Sequence, residues 1–271
     1  MTDNVLSAAR VLDLVELIAD SEDGVLLREA TARLDAPKSS TLMLLRTLVN
    51  RGYAYRDPVS ERYRLSAAYR AGSFGWTAEP HARLIAVARP IMEEVSAELG
   101  ESVTLGAYDK KGAAHLLAQV EAAVEVRYTA TLGRPIPLYC TAIGRVLVSR
   151  EGVEDWPILL GEGPFPALTR HTVTDGAEIL RIIGRARADG YAIVMEEFAL
   201  GGTGVAAPIL GAGGGAIGAL NIGCVTARFD DKREHVVAAV KAGAEAITAR
   251  MGLVGEMRGV VRPARLGAVV T

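Results

Sequence analysis

The stretch from Ala36 to Leu65, APKSSTLMLLRTLVNRGYAYRDPVSERYRL, constrains the fold of this chain more than any other. Thr41, Leu44, Leu45 and Leu48 recur at the spacing of one helical face, which predicts a short helix with that face buried. Pro37 suits the first helical turn, where its missing N–H costs nothing, and Gly52 sits where such a helix would stop. Tyr53–Arg56 and Arg62–Leu65 read as strands around a turn from Asp57 to Ser60. Two helices precede them. The first runs from Ser7, its N-cap, to about Asp20, with Val11, Leu14, Val15 and Ile18 on one stripe; the second runs from Leu27 to Leu34. Helix, short helix, tight turn, helix and hairpin is the order of a winged helix-turn-helix, which lays a helix in the DNA major groove. A plain three-helix subdomain is the alternative, and arginines at the hairpin tip weigh against it.

Charge supports that reading by its distribution. The whole chain carries −2, too little for a protein that coats nucleic acid. Between Lys38 and Arg64, six basic residues (Lys38, Arg46, Arg51, Arg56, Arg62, Arg64) face only Asp57 and Glu61. The preceding 37 residues are acidic. Positive charge is thus focused on the helix and hairpin, a modest footprint for phosphates; a solvated charged face would read the same way.

The 271 residues allow two domains. No apolar run reaches the length of a membrane span, and MTDNVLSAARVLD lacks the pattern of a secretory leader. Cys140 and Cys224 are too few for a disulfide framework and fit buried thiols in a reducing cytoplasm. Ala68–Glu79 is a transition of small residues. Pro80–Leu99 is helical, with Leu84, Ala88, Ile91, Val95 and Leu99 on one stripe and Pro90 as a kink or a join; the stripe serves a dimer contact or packs on its own domain. Beyond Gly100, strands are expected at Ser102–Tyr108, Ala113–Val120 and Val124–Ala130. Helices follow at Thr141–Arg150, Glu154–Leu160 and Asp175–Asp189, then strands at Tyr191–Glu196, Val205–Leu210 and Ala216–Cys224, and a long helix from Asp230 to Met251. This is an α+β, sensor-like arrangement. The domains expected are 1–67, DNA-binding; 68–99, a linker helix region; 100–251, effector-binding; and 252–271, a loosely held tail.

Several blocks together resemble the IclR family of transcriptional regulators over about residues 5–251. They are Pro37–Thr41, Arg51-Gly52-Tyr53, Arg62–Leu65, Gly133–Arg145 (GRPIPLYCTAIGR), Thr172–Asp175, Gly190–Ile193, Glu196-Glu197 and Val205–Ile209. The resemblance implies an N-terminal winged helix joined to a C-terminal GAF-like effector domain. It also implies a homodimer or homotetramer acting on double-stranded, palindromic operator DNA, and control by a small molecule, often a carboxylate or aromatic compound. No cofactor or metal is expected. On the reading helix, Ser39, Leu42, Met43 and Arg46 face the bases; the family often has His or Arg where Leu42 and Met43 stand, and the apolar pair would instead touch thymine methyls. Lys38, Ser40 and Arg62 are assigned to phosphates, with Arg62 at the wing tip a candidate for the minor groove.

For the effector, the resemblance points to the loop and helix from Ile136 to Ile143, here with Tyr139, Thr141 and Ala142. Val194, Gly204, Asn221 and Gly223 face it from later strands. The family commonly places polar side chains at several of these positions, whereas here three of the four are apolar or lack a side chain. That predicts an enlarged, more apolar pocket for an aromatic or largely apolar carboxylate, held by N–H groups at the start of the Thr141 helix, with Tyr139 and Asn221 adding hydrogen bonds. A domain that has lost sensing is the alternative. An enzyme is disfavoured: Glu196 and Glu197 would point to opposite faces of a strand, the four histidines lack zinc spacing, and Gly211–Gly215 lacks the Lys and following helix of a phosphate loop. Near-neutral charge and a large second domain disfavour a structural DNA-bending protein.

Overall fold

A computed structural model of the chain describes residues 6–21, 23–66, 69, 81–109, 112–211 and 213–252. The expected transition at Ala68–Glu79, apart from Tyr69, and all but the first residue of the tail at 252–271 lie outside them. The chain divides into two compact units between Val87 and Ala88, inside a helix rather than at either end of the region expected to link the domains.

In the first unit, α1 (Leu6–Ala19), α2 (Leu27–Leu34) and α3 (Lys38–Asn50) precede an antiparallel hairpin of β1 (Ala54–Arg56) and β2 (Tyr63–Leu65). Leu14, Ile18, Ala30, Leu45 and Leu48 form its core with Ala54, Tyr63 and Leu65. Ser7 lies within α1 and does not cap it. Pro37 is the N-cap of α3 and not part of its first turn; its carbonyl accepts the Thr41 N–H at 3.0 Å and the Thr41 hydroxyl at 3.2 Å. Arg51 ends the helix, and Gly52 supplies the left-handed step (φ 75°) into the hairpin. Asp57 holds the turn by accepting the Val59 and Ser60 N–H groups. Val25 bridges to Tyr63 through two backbone hydrogen bonds, tying the wing to the loop before α2.

The long helix α4 (Ala82–Leu99) is continuous, with Pro90 inside it. All five positions of the expected stripe are buried. Ile91 and Val95 pack at Gly243, so that part of the stripe is covered by the helix's own unit.

The second unit is built on a six-stranded antiparallel sheet in the order β5-β4-β3-β8-β7-β6. The strands are β3 (Ser102–Tyr108), β4 (Ala114–Val120), β5 (Pro135–Ile136), β6 (Ala192–Met195), β7 (Gly202–Leu210) and β8 (Ala216–Val225). Helix α5 (Ala142–Ser149) covers one face and α8 (Arg233–Gly252) the other: Ala142 sits over Gly204 near Asn221, whereas Leu220, the preceding residue, meets Gly243 of α8. A 3-10 turn at Val153–Asp155, α6 (Trp156–Leu160) and α7 (Gly176–Asp189) complete the unit. Asp175 caps α7 by accepting the Glu178 N–H, and Gly190 ends it at φ 77°. A 3-10 turn at Asp230–Lys232 delays α8 by three residues.

Val124–Ala130 is not a strand. Its alternation has the right period, but the Gln119 side chain replaces a strand partner. The Gln119 amide donates to Tyr128 O at 3.2 Å and accepts the Ala130 N–H at 3.1 Å. The short β5, further on, is the segment that pairs with β4.

Candidate functional sites

On α3, Thr41, Leu45 and Leu48 are buried, which leaves Lys38, Ser39, Met43 and Arg46 exposed and Ser40 and Leu42 half-buried. Lys38, Leu42 and Arg46 line a groove with Arg28 of α2 and Arg56 of the hairpin. Arg28 falls outside the basic window visible in the sequence, and the fold brings it to the same surface. Met43 is 69% exposed, a large apolar side chain held in water on the face expected to read bases.

The hairpin arginines are less available than their spacing suggests. Arg62 is not at the wing tip. Its guanidinium donates to Gly24 O at 2.7 Å and to Glu29 at 3.2 Å, bracing the hairpin against the loop before α2. Arg56 pairs with Glu61 at 2.6 Å. The Arg64 side chain lies against Gly24. The tip is Pro58–Ser60, with Val59 93% exposed.

In the second unit, eight of the nine positions expected to meet an effector surround one cavity: Ile136, Thr141, Ala142, Ile143, Val194, Gly204, Asn221 and Gly223. The free space inside is about 60 Å³, well under the roughly 300–1,000 Å³ of ordinary ligand pockets, so the cavity is a tight one. Tyr139 is not among them. Its hydroxyl donates to Pro166 O at 2.6 Å, its ring leans on Phe165, and it belongs to a separate core with Trp156 and Ile183. Cys140 lies in that same core, where burial pushes its thiol up to about 11; Cys224 is raised to about 12 for the same reason. Both are inert packing residues.

The cavity floor is the face of the sheet turned to α5, carrying Thr104, Gly106, Gly202, Gly204, Asn221 and Gly223. Four glycines on adjacent strands suggest open space, but three neighbours use it. Ile143 presses on Gly106, where a Cβ would come 2.8 Å from its side chain. Ala142 and the Asn221 amide crowd Gly204. The Tyr128 ring lies over Gly202 and Gly223, where a Cβ on Gly223 would approach it to 2.7 Å. The missing side chains therefore do not enlarge the pocket simply by their absence. Leu116, Ile136, Ile143, Val194 and Phe198 make the walls apolar.

Polar groups are few. Asn221 donates to the Thr104 hydroxyl at 2.9 Å, leaving the hydroxyl hydrogen and the amide oxygen for a further partner. The Thr141 hydroxyl is already engaged: it donates to Pro137 O at 2.6 Å and accepts the Gly144 N–H at 3.1 Å, as the N-cap of α5. With Gly144 satisfied, the N–H groups of Ala142 and Ile143 remain the donors of the first turn without an intrahelical partner.

Two ionic groups with buried carboxylates lie in the same unit. Arg145 forks onto Glu197 at 2.6 and 2.7 Å with both side chains buried, while its Nε donates to Tyr139 O and the Glu197 carboxylate accepts the Val173 N–H. Glu196 and Glu197 lie past the end of β6, not on a strand. Glu196 adopts φ 58° and accepts the Gly201 N–H, closing the turn that supplies Phe198 and Ala199 to the cavity. The second pair is centred on Glu101, fully buried at the end of α4. It binds Arg228 and Lys232, which also donate to Val126 O and Leu99 O. Burial alone would raise the Glu101 pKa, but those two cations bring it below the usual carboxylate value. Among the described residues, no cluster of His, Cys, Asp and Glu could hold a metal, and no helix is long and apolar enough to cross a membrane.

Comparison with known proteins gives one consistent picture. The profile of the bacterial transcriptional regulator IclR C-terminal domain matches residues 78–249, and that of the IclR helix-turn-helix domain matches residues 7–58. The transcriptional regulator BhcR of Paracoccus denitrificans is 31% identical over 225 residues, 83% of this chain and 79% of its own length. The glycerol operon regulatory protein of Streptomyces coelicolor is 30% identical over 255 residues, 93% of this chain and 98% of its own. Among solved structures, an IclR transcriptional regulator from Alicyclobacillus acidocaldarius aligns with a TM-score of 0.60 and 25% identity, over 92% of this chain and all of that one.

Proposed function

The chain belongs to the IclR family of bacterial transcriptional regulators, and from that premise we propose that it is a cytoplasmic, ligand-controlled regulator of a metabolic, catabolic operon. The observation that carries the ligand half is the cavity at the start of α5. It offers two backbone N–H donors, the positive end of the helix dipole and apolar walls, with the Asn221–Thr104 pair as its polar counterpart. That combination suits a small, flat, largely apolar carboxylate, an aromatic acid above all: the carboxylate meets the Ala142 and Ile143 N–H groups, and the ring meets Ile143, Val194 and Phe198. A relative named for a glycerol operon supports a metabolic target.

On the DNA side, Ser39, Leu42, Met43 and Arg46 contact base edges from α3, while Lys38 and Ser40 contact phosphates. Arg28 joins them across the groove. Two copies of the winged helix, in a dimer or a dimer of dimers, would read a palindromic operator. Calorimetric titration of the full chain with benzoate and with small aliphatic acids tests the effector. Tighter binding of benzoate supports the reading, and binding of aliphatic acids alone refutes it. A chain that has lost sensing would bind neither, and the Tyr128 ring on the cavity floor is the feature that favours this second reading.

A further inference from the structure

We propose that Tyr128 is the specificity-determining residue of this cavity: its ring is a built-in plug over Gly202 and Gly223 that limits the ligand to about a single ring. The inference rests on the reading of the cavity as the effector site and narrows the class of ligand that site takes.

Three observations carry it. First, the ring occupies the space that two glycines on adjacent strands vacate. A Cβ at Gly223 would lie 2.7 Å from the ring and one at Gly202 would lie 3.1 Å from it. Any side chain at Gly223 would displace Tyr128, so glycine and tyrosine are complementary in shape. Second, the segment that carries the ring is clamped on both sides although it lies outside the sheet. The Gln119 side chain takes both Tyr128 O and the Ala130 N–H, and Arg228 donates to Val126 O. A clamped strap places the ring reproducibly, as a size filter requires. Third, the ring borders the cavity together with Phe198 and Ile143. Removing it would extend the cavity along Gly202 and Gly223, the direction in which a second fused ring would grow. Retaining it gives a one-ring ligand an aromatic edge or face to contact.

The test compares the full-length protein with Tyr128→Ala, Tyr128→Leu and Tyr128→Phe. Binding of benzoate and 2-naphthoate is measured by calorimetry, and 8-anilinonaphthalene-1-sulfonate serves as a two-ring fluorescent probe. Cooperative thermal unfolding identifies the folded variants; Leu fills enough of the space to replace Ala if the smaller residue fails to fold. Tyr128→Ala or Leu should bind 2-naphthoate about tenfold more tightly than wild type and benzoate more weakly, while Tyr128→Phe keeps the wild-type order. The dye should brighten with the truncated variants, be displaced by 2-naphthoate, and stay dim with wild type and Tyr128→Phe. If wild type binds no aromatic acid yet the truncated variants admit the dye, the aromatic-acid reading fails and the plug stands. If the truncated variants neither gain 2-naphthoate nor admit the dye, or if wild type already binds both acids equally, the plug is refuted.

Discussion

Truncating Glu197 to Ala should cost the second unit about 3–5 kcal/mol, because it strands the Arg145 guanidinium in a site where Arg145 is 1% exposed. The fork to Glu197 satisfies two of the guanidinium's donor nitrogens and Tyr139 O takes Nε. After truncation only the bond to Tyr139 O remains. The Val173 N–H also loses its acceptor, an added penalty of about 1–3 kcal/mol if no water replaces it. Arg145→Met alone strands a carboxylate that is 10% exposed and still accepts from Val173, so its cost should fall at the lower end of the same range. Replacing both residues with apolar ones, Arg145→Met with Glu197→Leu, removes both charges together. Such replacements in buried pairs are often neutral, so the double variant should be more stable than the sum of the single losses predicts, by roughly 3 kcal/mol or more. Urea unfolding of the four proteins followed by circular dichroism measures this. Single losses below about 1 kcal/mol, or a double variant that loses the full sum, would refute the claim that the pair is a buried, mutually dependent lock.

Five other substitutions have outcomes set by the same geometry. Because its cations depress the folded-state pKa of Glu101, its contribution to stability is complete above the ordinary glutamate value and is lost as pH falls through the lowered one; the stability gap between wild type and Glu101→Gln should hold at neutral pH and close in acid, as measured by urea midpoints across pH. Gln119→Ala removes both bonds that clamp Tyr128 and Ala130, so the Ala130 N–H should exchange with deuterium faster while the amides of β3 and β8 keep their rates. On DNA, Arg46→Ala should relax sequence discrimination, whereas Lys38→Ala should weaken binding uniformly and lower the salt slope by about one. Arg62→Ala should leave that slope unchanged and instead destabilise the winged helix by about 1 kcal/mol, since Arg62 is spent on Gly24 and Glu29.

Features with a local cause were legible in the sequence. The buried face of α3 and the helices beginning near Thr141 and Asp175 follow from residue types at fixed offsets, although both residues prove to be N-caps and not helical positions, and β3 and β7 follow from composition and turns. What escaped was set by partners distant in sequence. The Val124–Ala130 pattern mimics a strand until the Gln119 side chain takes its hydrogen bonds. Arg62 looks free until the fold brings Glu29 to it, 33 positions away. The left-handed turn at Glu196 is likewise fixed by the Gly201 N–H and not by its own sequence. In the cavity, the positions taken from the family resemblance surround one space, yet the contents of that space were not legible. Four glycines announce room, and only three-dimensional packing reveals Ile143, Ala142 and Tyr128 using it. Tyr139 illustrates the converse: it lies beside the site in sequence, and its ring turns to Phe165 in another core.

The most direct test of the central claim is a titration of the full chain onto fluorescent DNA fragments from the promoter region beside its own gene, in the absence and presence of benzoate, at fixed salt. Tight binding to one palindromic fragment over scrambled DNA is expected, with an affinity that changes severalfold when benzoate is added; that change should disappear in a folded variant carrying Ile143→Asp, which sets a negative charge beside the α5 donors. Equal binding to scrambled DNA, or an operator affinity indifferent to every aromatic acid while aliphatic acids shift it, would contradict the central claim.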